Sequence, residues 1–385
     1  MSLREAHLSK LPEVGTTIFT VMSRLAAEHG AINLSQGFPD FSPPARLVEM
    51  VAGHMRAGLN QYAPMPGLPA LREAIARQVM DLHGRRVSAE SEITITAGGT
   101  EALFCAVQAV VHPGDEVILL DPAYDSYEPA VRLAGGVAVR VPLRRPGFDV
   151  DWDRVGDAVG PKTRLIIINT PHNPSGAVFT RGDLDALADA IEGTGALVLA
   201  DEVYEHMVFD GHAHQGLLAH DALAGRGMVV SSFGKTYHAT GWKLGCCIAP
   251  VQLTTELRKV HQFVQFSVAT PLQAALADFM TEAPGHALEL AGFYQHKRDH
   301  FCGLLGQTRF RCSPSAGTYF QLADYSALSD EPDIEFVRRL TIEHGVAAIP
   351  VSVFSLPAPV ERLVRFCFAK DEATLDAAGE RLRRI

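Results

Sequence analysis

The sequence lacks the features that mark membrane-spanning, secreted and nucleic-acid-binding proteins. It contains no run of about 18 apolar residues, the length that a membrane-spanning helix needs. The first ten residues are charged and lack the apolar core of a signal peptide. With 34 Lys and Arg against 44 Asp and Glu, the net charge of -10 disfavours nucleic acid and anionic membranes as main partners. We therefore expect a soluble, cytoplasmic protein that binds neither.

Cysteine is scarce and is not arranged for metal binding or disulfide pairing. The six cysteines show no paired ligand spacing, and most lie in apolar stretches. A chain of 385 residues with 47% hydrophobic residues forms a large core without disulfides. We expect reduced core thiols and no metal site. Internal repeats and low-complexity tracts are absent as well.

Continuous apolar runs recur in the middle of the chain, with helical patterns between most of them. Such runs are typical of strands in a sheet that is buried on both faces. They lie at residues 92–96, 116–120, 164–169, 196–200, 228–230 and 244–248. The pattern predicts an α/β fold, a mostly parallel central sheet sandwiched by helices.

The flanking segments have a different texture. Amphipathic helices are predicted at residues 17–27, 47–57 and 68–83. Beyond Pro284 the pattern changes to charged helices and short strands, which predicts a second, smaller α+β domain. The helices are expected at 293–305, 334–344 and 372–384, and the strands at 319–323, 346–349 and 363–368.

Polar side chains follow the predicted strands at their carboxyl ends. In open α/β sheets ligands bind in the crevice outside these ends, so the placement predicts one shared site. The residues are Tyr124, Asn169, Asn173, Asp201, Tyr204, Ser232 and Lys235.

Lys235 lies in a segment of small and hydroxylated residues, S-S-F-G-K-T-Y. A lysine that bonds covalently to a carbonyl cofactor needs a partly dry pocket that lowers its pKa. Ser232 and Lys243 flank it and suit a shared anion. A solvated loop lysine is the alternative on this feature alone.

Asp201 follows four apolar residues, where an ionised carboxylate is costly unless a cation or strong donors face it. It suits a counter-ion to a protonated pyridine nitrogen, and a helix N-cap is the alternative. Tyr204 shares a face with Asp201 if a helical turn begins there.

Arg365 shares the apolar face of a predicted strand with Leu363 and Cys367. Its planar fork matches a carboxylate, and a structural salt bridge is the alternative. Tyr124 suits stacking on a flat ring, or is simply a partly buried tyrosine. Asn173 lies in an Asn-Pro turn that would hold its amide side chain rigidly; alternatively, it serves only to form the turn.

Together these motifs resemble the pyridoxal-phosphate-dependent aminotransferases of fold type I, class I/II. The resemblance covers essentially the whole chain and is strongest in S-S-F-G-K-T-Y-H-A-T-G-W-K, A-D-E-V-Y, N-T-P-H-N-P-S-G and R-F-C-F. Within the family the sequence is most similar to the methionine aminotransferases and to the kynurenine/glutamine transaminase (cysteine-S-conjugate β-lyase) group. One departure is His172-Asn173-Pro174-Ser175, where kynurenine-type relatives tend to carry Asn-Asn-Pro-Leu. It weakens an assignment to kynurenine and leaves the reaction class unaffected.

The resemblance implies pyridoxal 5'-phosphate (PLP) as cofactor and assigns a role to each motif residue. Lys235 would hold the cofactor covalently, Asp201 would pair with the pyridine nitrogen, Asn173 and Tyr204 would bond the ring hydroxyl, and Tyr124 would stack on the ring. The phosphate would be held by the Gly99 and Thr100 backbone, Ser232 and Lys243, with Tyr62 entering from the partner subunit of a homodimer with shared active sites. The substrate carboxylate would meet Arg365, Asn173 and the Gly37 backbone, and the side-chain pocket would include Phe19 and Tyr62.

The family also implies a division of the chain and a reaction. Residues 1–44 and 285–385 would form the small domain, and residues 45–284 the large PLP-binding domain. The expected activity is transamination of uncharged amino acids, such as methionine, aromatic amino acids and glutamine, with a 2-oxo acid. A β-eliminating lyase would use the same lysine and cofactor. A non-catalytic, ligand-sensing domain needs a basic DNA-binding extension, and none precedes Thr17.

Overall fold

The computed structural model describes residues 9–356 and 362–385. The prediction about a signal peptide concerns residues that lie mostly outside these ranges. None of the described helices is both long and apolar enough to cross a membrane. The helices are α1 (Ile18–Glu28), α2 (Ala45–Arg56), α3 (Pro69–His83), α4 (Gly99–Val110), α5 (Tyr127–Leu133), α6 (Trp152–Ala158), α7 (Arg181–Ala190), α8 (Asp221–Ala224), α9 (Phe233–Thr236), α10 (Val251–Val264), α11 (Thr270–Glu282), α12 (His286–Leu305), α13 (Asp333–His344) and α14 (Glu372–Leu382).

The strands form one large sheet and two small ones. They are β1 (Ile32–Asn33), β2 (Ile93–Thr96), β3 (Glu116–Asp121), β4 (Val137–Pro142), β5 (Thr163–Asn169), β6 (Leu197–Asp201), β7 (Gly227–Ser232), β8 (Gly245–Ile248), β9 (Phe320–Asp324), β10 (Val346–Ala347), β11 (Ile349–Pro350) and β12 (Leu363–Cys367). The large sheet has the order β2-β8-β7-β6-β5-β3-β4. Only β8 runs antiparallel to its two neighbours in this sheet. The predicted α/β fold with a mostly parallel sheet is confirmed.

Alternate residues of each central strand pack into two different apolar cores. In β5, Ile166 and Ile168 belong to one core, whereas Leu165 and Ile167 belong to the other. Successive side chains of a strand point to opposite faces, so an unbroken apolar run covers both faces. Full burial of each such side chain contributes about 1.5–3 kcal/mol. Packing on both faces therefore explains why these strands show no polar alternation in the sequence.

The N-terminal segment packs with the C-terminal part of the chain. Strand β1 pairs in parallel with β10, and Met22 and Leu34 lie in an apolar core formed largely by residues beyond 290. Strand β12 lies between β11 and β9 in an antiparallel sheet. The strand predicted at 346–349 is two short strands, because the chain leaves the pairing with β1 at Ala347 and joins β12 at Ile349.

Candidate active site

A cavity of about 300 Å³ opens at the carboxyl edge of the large sheet. Parallel pairing places Asn169 beside Asp201, and Ser232 faces Gly245 across the antiparallel pair. The structure brings every predicted site residue to this cavity except Tyr62. The predicted residues that line it are Phe19, Gly37, Gly99, Thr100, Tyr124, Asn173, Asp201, Tyr204, Ser232, Lys235, Lys243 and Arg365.

Lys235 lies in the short helix α9 and extends its amine into the cavity. Its Nζ donates hydrogen bonds to the Gly37 carbonyl at 3.3 Å and to Tyr319 Oη at 3.0 Å. Desolvation lowers the pKa of Lys235 to about 8, and the positive charges of Lys243 and Arg365 act in the same direction. At pH 7 roughly a tenth of the amine is therefore neutral and nucleophilic, far more than for an ordinary lysine.

Asp201 is the last residue of β6 and is buried with its carboxylate towards the cavity. Tyr127 donates a 2.6 Å hydrogen bond to Oδ2, and the Val203 N–H reaches Oδ1 at 3.4 Å. Residues 203–206 form a turn rather than a helix, so the helix N-cap interpretation of Asp201 is wrong. Burial raises the pKa of Asp201 to about 6, and the Tyr127 hydrogen bond opposes this rise. A cation facing this carboxylate would stabilise its ionised form.

Arg365 lies on β12 and is 1% exposed. Its Nη1 donates to Asn173 Oδ1 at 2.6 Å, its Nη2 donates to the Ser35 carbonyl at 3.3 Å, and its guanidinium stacks on Phe320 at 3.8 Å. No carboxylate of the described residues forms a salt bridge with it, so the structural salt-bridge alternative is wrong. The buried Nε–H lacks a hydrogen-bond partner within the same described ranges. A desolvated guanidinium with a donor to spare suits an incoming carboxylate.

The amino end of α4 forms a cradle for an anion. Its N-cap Gly98 has φ +80, a conformation that favours glycine, and a Cβ there would lie 3.3 Å from Lys243 Nζ. A Cβ on Gly99 would lie 3.0 Å from Val203. The first N–H groups of a helix have no partner within the helix, so they point at an anion together with Ser232 and Lys243.

Aromatic side chains line the remaining walls. Tyr204 packs edge-on against Tyr319 at 5.1 Å, and Tyr124 packs edge-on against Tyr127 at 5.7 Å. Burial raises the pKa of Tyr124 to about 12, so its hydroxyl remains protonated. Gly37 allows the loop to approach Phe320 closely, because a Cβ there would lie 2.8 Å from that ring.

Three contacting residues were missed by the sequence analysis. Tyr127 bonds Asp201, Tyr319 bonds Lys235, and Phe320 stacks on Arg365. Tyr127 lies three residues after Tyr124 in the segment D-P-A-Y-D-S-Y, so its spacing was a usable signal. No local motif marks Tyr319 or Phe320. Their contacts depend on how β9 and the residue before it pack against the loop at Gly37.

Tyr62 does not line the cavity of its own chain. Tyr62 is 82% exposed, and its ring packs edge-on against Phe266 at 5.4 Å. The exposed position is compatible with a contact to a second subunit.

The sequence profile of aminotransferase class I and II matches residues 29–382. The chain belongs to this family. It is 54% identical to methionine aminotransferase of Escherichia coli over 98% of both chains, and a solved E. coli structure with methionine aminotransferase function superposes with a TM-score of 0.97, covering 98% of this chain and 99% of the other. It is 37% identical to kynurenine--oxoglutarate transaminase 3 of Mus musculus over 100% of this chain and 91% of the relative.

The protein is a PLP-dependent aminotransferase that transaminates amino acids, and the cavity fits this cofactor. The glycine cradle at α4 leaves space and free N–H groups for a phosphate, Asp201 offers a carboxylate to a ring nitrogen, and Lys235 offers an amine to an aldehyde. The spare Nε–H of Arg365 remains for the substrate carboxylate. Family membership and this complete donor set argue against a non-catalytic sensor.

The lowered pKa of Lys235 predicts how cofactor attachment depends on pH. Below about pH 8 the amine is mostly protonated, so the attachment rate of cofactor-free enzyme should rise about tenfold per pH unit and level off above this value. The measurement is PLP trapped on Lys235 by borohydride, quantified by peptide mass spectrometry between pH 6 and 10. Lys235→Ala gives the background from other lysines. A midpoint near the usual lysine value would contradict the desolvated pocket.

The buried carboxylate of Asp201 predicts a large effect of charge removal. Asp201→Asn should fold normally and lose about 10²–10³-fold in kcat, because a preorganised charge at the cofactor is lost. Steady-state kinetics at saturating PLP measures the effect, and Asp185→Asn on the exposed side of α7 is the control. A rate within a few-fold of wild type would leave Asp201 with a structural role only.

Proposed function

We propose that Lys235 both holds the cofactor and moves the proton that transamination requires. When bound, PLP supplies an aldehyde for the amino group and an electron-withdrawing ring. The Lys235 amine lies within the cavity beside Tyr319 and would take the proton from the substrate α-carbon as a general base. Asp201 would keep the ring nitrogen positive, and Tyr204 and the Asn173 amide would donate towards the ring oxygen.

The proposal of an amino acid substrate rests on the surroundings of Arg365. It is a buried arginine with a spare Nε–H, and Asn173 and the Ser35 carbonyl fix its orientation. Its planar fork would take the α-carboxylate that every amino donor and every 2-oxo acid shares. This orients the α-carbon towards Lys235 whatever the side chain is.

We propose that the preferred donors are uncharged and sizeable, methionine first, followed by aromatic amino acids and glutamine. Arg365 is the only arginine among the described residues that line the cavity, so no second fork is available there for a side-chain carboxylate. Phe19 and Phe320 provide apolar wall next to Arg365. The 54% identity to E. coli methionine aminotransferase supports this ranking.

We also propose that the active enzyme is a cytoplasmic homodimer whose partner completes each site through Tyr62. Other exposed aromatic residues support this: Phe266 contacts the Tyr62 ring and is 47% exposed, and Phe263, three residues before it in the chain, is 86% exposed. Such a patch is costly in water and is typical of a subunit interface.

The division into a small domain of residues 1–44 and 285–385 and a large domain of 45–284 remains our proposal. The parallel pairing of β1 with β10 and the shared apolar core beyond residue 290 support it. Residues 1–8 of this division lie outside the described ranges.

A donor panel tests the substrate proposal. With one common 2-oxo acid, kcat/KM should be highest for methionine, lower for phenylalanine and glutamine, and poorest for aspartate. Apolar pockets separate neighbours by only about 1–3 kcal/mol per methylene, so the range should be broad. Arg365→Lys should lower kcat/KM for all donors alike, because the fork is lost. A preference for aspartate would refute the pocket proposal and leave the lysine chemistry standing.

Subunit complementation tests the shared site. Tyr62→Phe removes a hydrogen bond to a charged group and should weaken cofactor binding roughly 10- to 100-fold. Heterodimers of Lys235→Ala and Tyr62→Phe chains, purified by two tags, should regain one wild-type site of two. That site combines an intact Lys235 with the intact Tyr62 of the other subunit. Purified heterodimers no more active than the parent variants at limiting PLP would refute sharing.

A further inference from the structure

A compact group of histidine and glutamate side chains lies behind the wall of the active site. Strand residues alternate, so Glu202 points away from the face to which Asp201 belongs, and Ser231 points away from Ser232. On that far side Glu202, Glu205 and His83, the last residue of α3, each place a ligand atom within 4.8 Å of the others. We call these three residues the rear cluster.

The rear cluster is enclosed, and part of its bonding capacity is unused. The side chains of His83, Glu205 and Glu202 are 5%, 12% and 0% exposed. The His83 imidazole makes no hydrogen bond to a residue of the described ranges. Its Nε2 lies 4.0 Å from Glu205 Oε2, which is too long for a hydrogen bond. The His83 imidazole and the Glu205 carboxylate thus lie side by side without bonding each other.

The spacing is slightly wider than a shared metal ion needs. Bonds from zinc to histidine nitrogen and to carboxylate oxygen are each about 2.0–2.2 Å, so two ligands of a tetrahedral ion lie roughly 3.4 Å apart. The distance of 4.0 Å between His83 Nε2 and Glu205 Oε2 is longer than this. Rotation of the glutamate side chains would have to bring the ligand atoms closer by roughly 0.6 Å or more when an ion binds.

Neighbouring groups orient the two carboxylates as ligands. Ser231 donates to Oε1 of Glu205, which leaves Oε2 directed at His83. Glu202 accepts from the Leu217 N–H at 2.8 Å and from His214 Nε2 at 2.8 Å. Hydrogen bonds of this kind to ligand carboxylates are typical of metal sites, where they fix the geometry of the ligands.

A small cavity adjoins His83 and Glu205. Its volume of about 20 Å³ is enough for one water-sized occupant. His83, Glu205 and Ser231 are among its lining residues, whereas most of the others are apolar and Glu202 is not one of them. Gly216 closes the rear cluster, and a Cβ there would lie 2.5 Å from His83 Cε1 and 2.9 Å from Glu202 Oε2. Gln78, which borders this cavity, also borders a larger surface cavity of about 310 Å³.

A second group, Glu101, Cys105 and His261, is a poorer candidate. Cys105 and His261 Nδ1 both contact Glu101 Oε1, at 2.8 and 2.9 Å, and His261 Nε2 contacts the Met65 carbonyl at 3.1 Å. The Ala97 N–H occupies Glu101 Oε2 at 2.9 Å. Its ligand atoms are therefore already bonded. In the rear cluster the oxygens of Glu202 are bonded as well, but His83 and Glu205 Oε2 are not.

We propose that the rear cluster is a binding site for one divalent transition metal ion of the zinc class. His83 supplies a nitrogen ligand, Glu202 and Glu205 supply oxygen ligands, and water completes the coordination. The ion links the end of α3 to the segment that carries Asp201 and Tyr204. The sequence analysis expected no metal site, because His83 lies more than 100 residues before Glu202 and Glu205 and no metal-binding motif joins them.

Zinc titration of the PLP-bound enzyme after chelator treatment tests the proposal. Calorimetry should give one Zn²⁺ per chain at this site, and the ion should raise Tm. His83→Gln and the isosteric Glu205→Gln should each weaken binding at least tenfold and abolish the Tm rise. Their metal-free Tm, measured in parallel, shows whether they fold.

Two control variants locate the ion. Cys105→Ser alters the second group, and His300→Gln alters an exposed histidine that contacts Asp376 at 2.8 Å. Both should bind Zn²⁺ as tightly as wild type. The proposal is overturned if wild type binds no Zn²⁺, if folded His83→Gln and Glu205→Gln bind it unchanged, or if Cys105→Ser is the variant that loses it. None of these outcomes depends on transaminase activity.

Discussion

The cost of removing charge from water is the constraint on which this active site depends. Asp201 and Arg365 are almost fully buried, and the Lys235 amine is enclosed with them in one cavity. The chain only partly compensates these charges: Tyr127 bonds Asp201, Asn173 bonds Arg365, and Tyr319 bonds Lys235. The pKa of Asp201 is raised and that of Lys235 is lowered because these contacts do not fully replace the water that burial removes. A cofactor cation and a substrate carboxylate are the charges that would complete it.

The sheet explains why these groups meet. In a parallel sheet the carboxyl ends of the strands lie at the same edge. The pairing of Asn169 with Asp201 therefore places two polar residues side by side there. The apolar residues before them are held by two cores, one on each face. That packing holds the strands in place, and the Asn169 amide adds a 2.8 Å hydrogen bond to the Asp201 carbonyl at the strand ends. Asp201 and Ser232 are therefore positioned mainly by residues that do not take part in the chemistry.

The sequence was most informative where a local pattern has one physical meaning. Apolar runs without alternation indicated a sheet covered on both faces, and the strand bounds agree within two residues for most runs. The sequence was less informative where the role of a residue depends on partners that are distant along the chain. The salt-bridge alternative for Arg365 and the helix-cap alternative for Asp201 were excluded only once the surroundings of each side chain were visible. Tyr319 and Phe320 were not predicted as site residues for the same reason, since their contacts depend on the approach of the loop at Gly37.

The same alternation that serves the cofactor also creates the polar interior behind it. Once Asp201 and Ser232 face the cavity, Glu202 and Ser231 must face the opposite side of the sheet, where α3 packs. Burying Glu202 and Glu205 there requires donors or cations, and the segment supplies His214, Leu217 N–H and Ser231 for this purpose. These donors leave His83 and one oxygen of Glu205 unbonded to each other. Because Glu202 directly follows Asp201, the contacts that hold Glu202 in the rear cluster also restrain the backbone from which the Asp201 carboxylate extends.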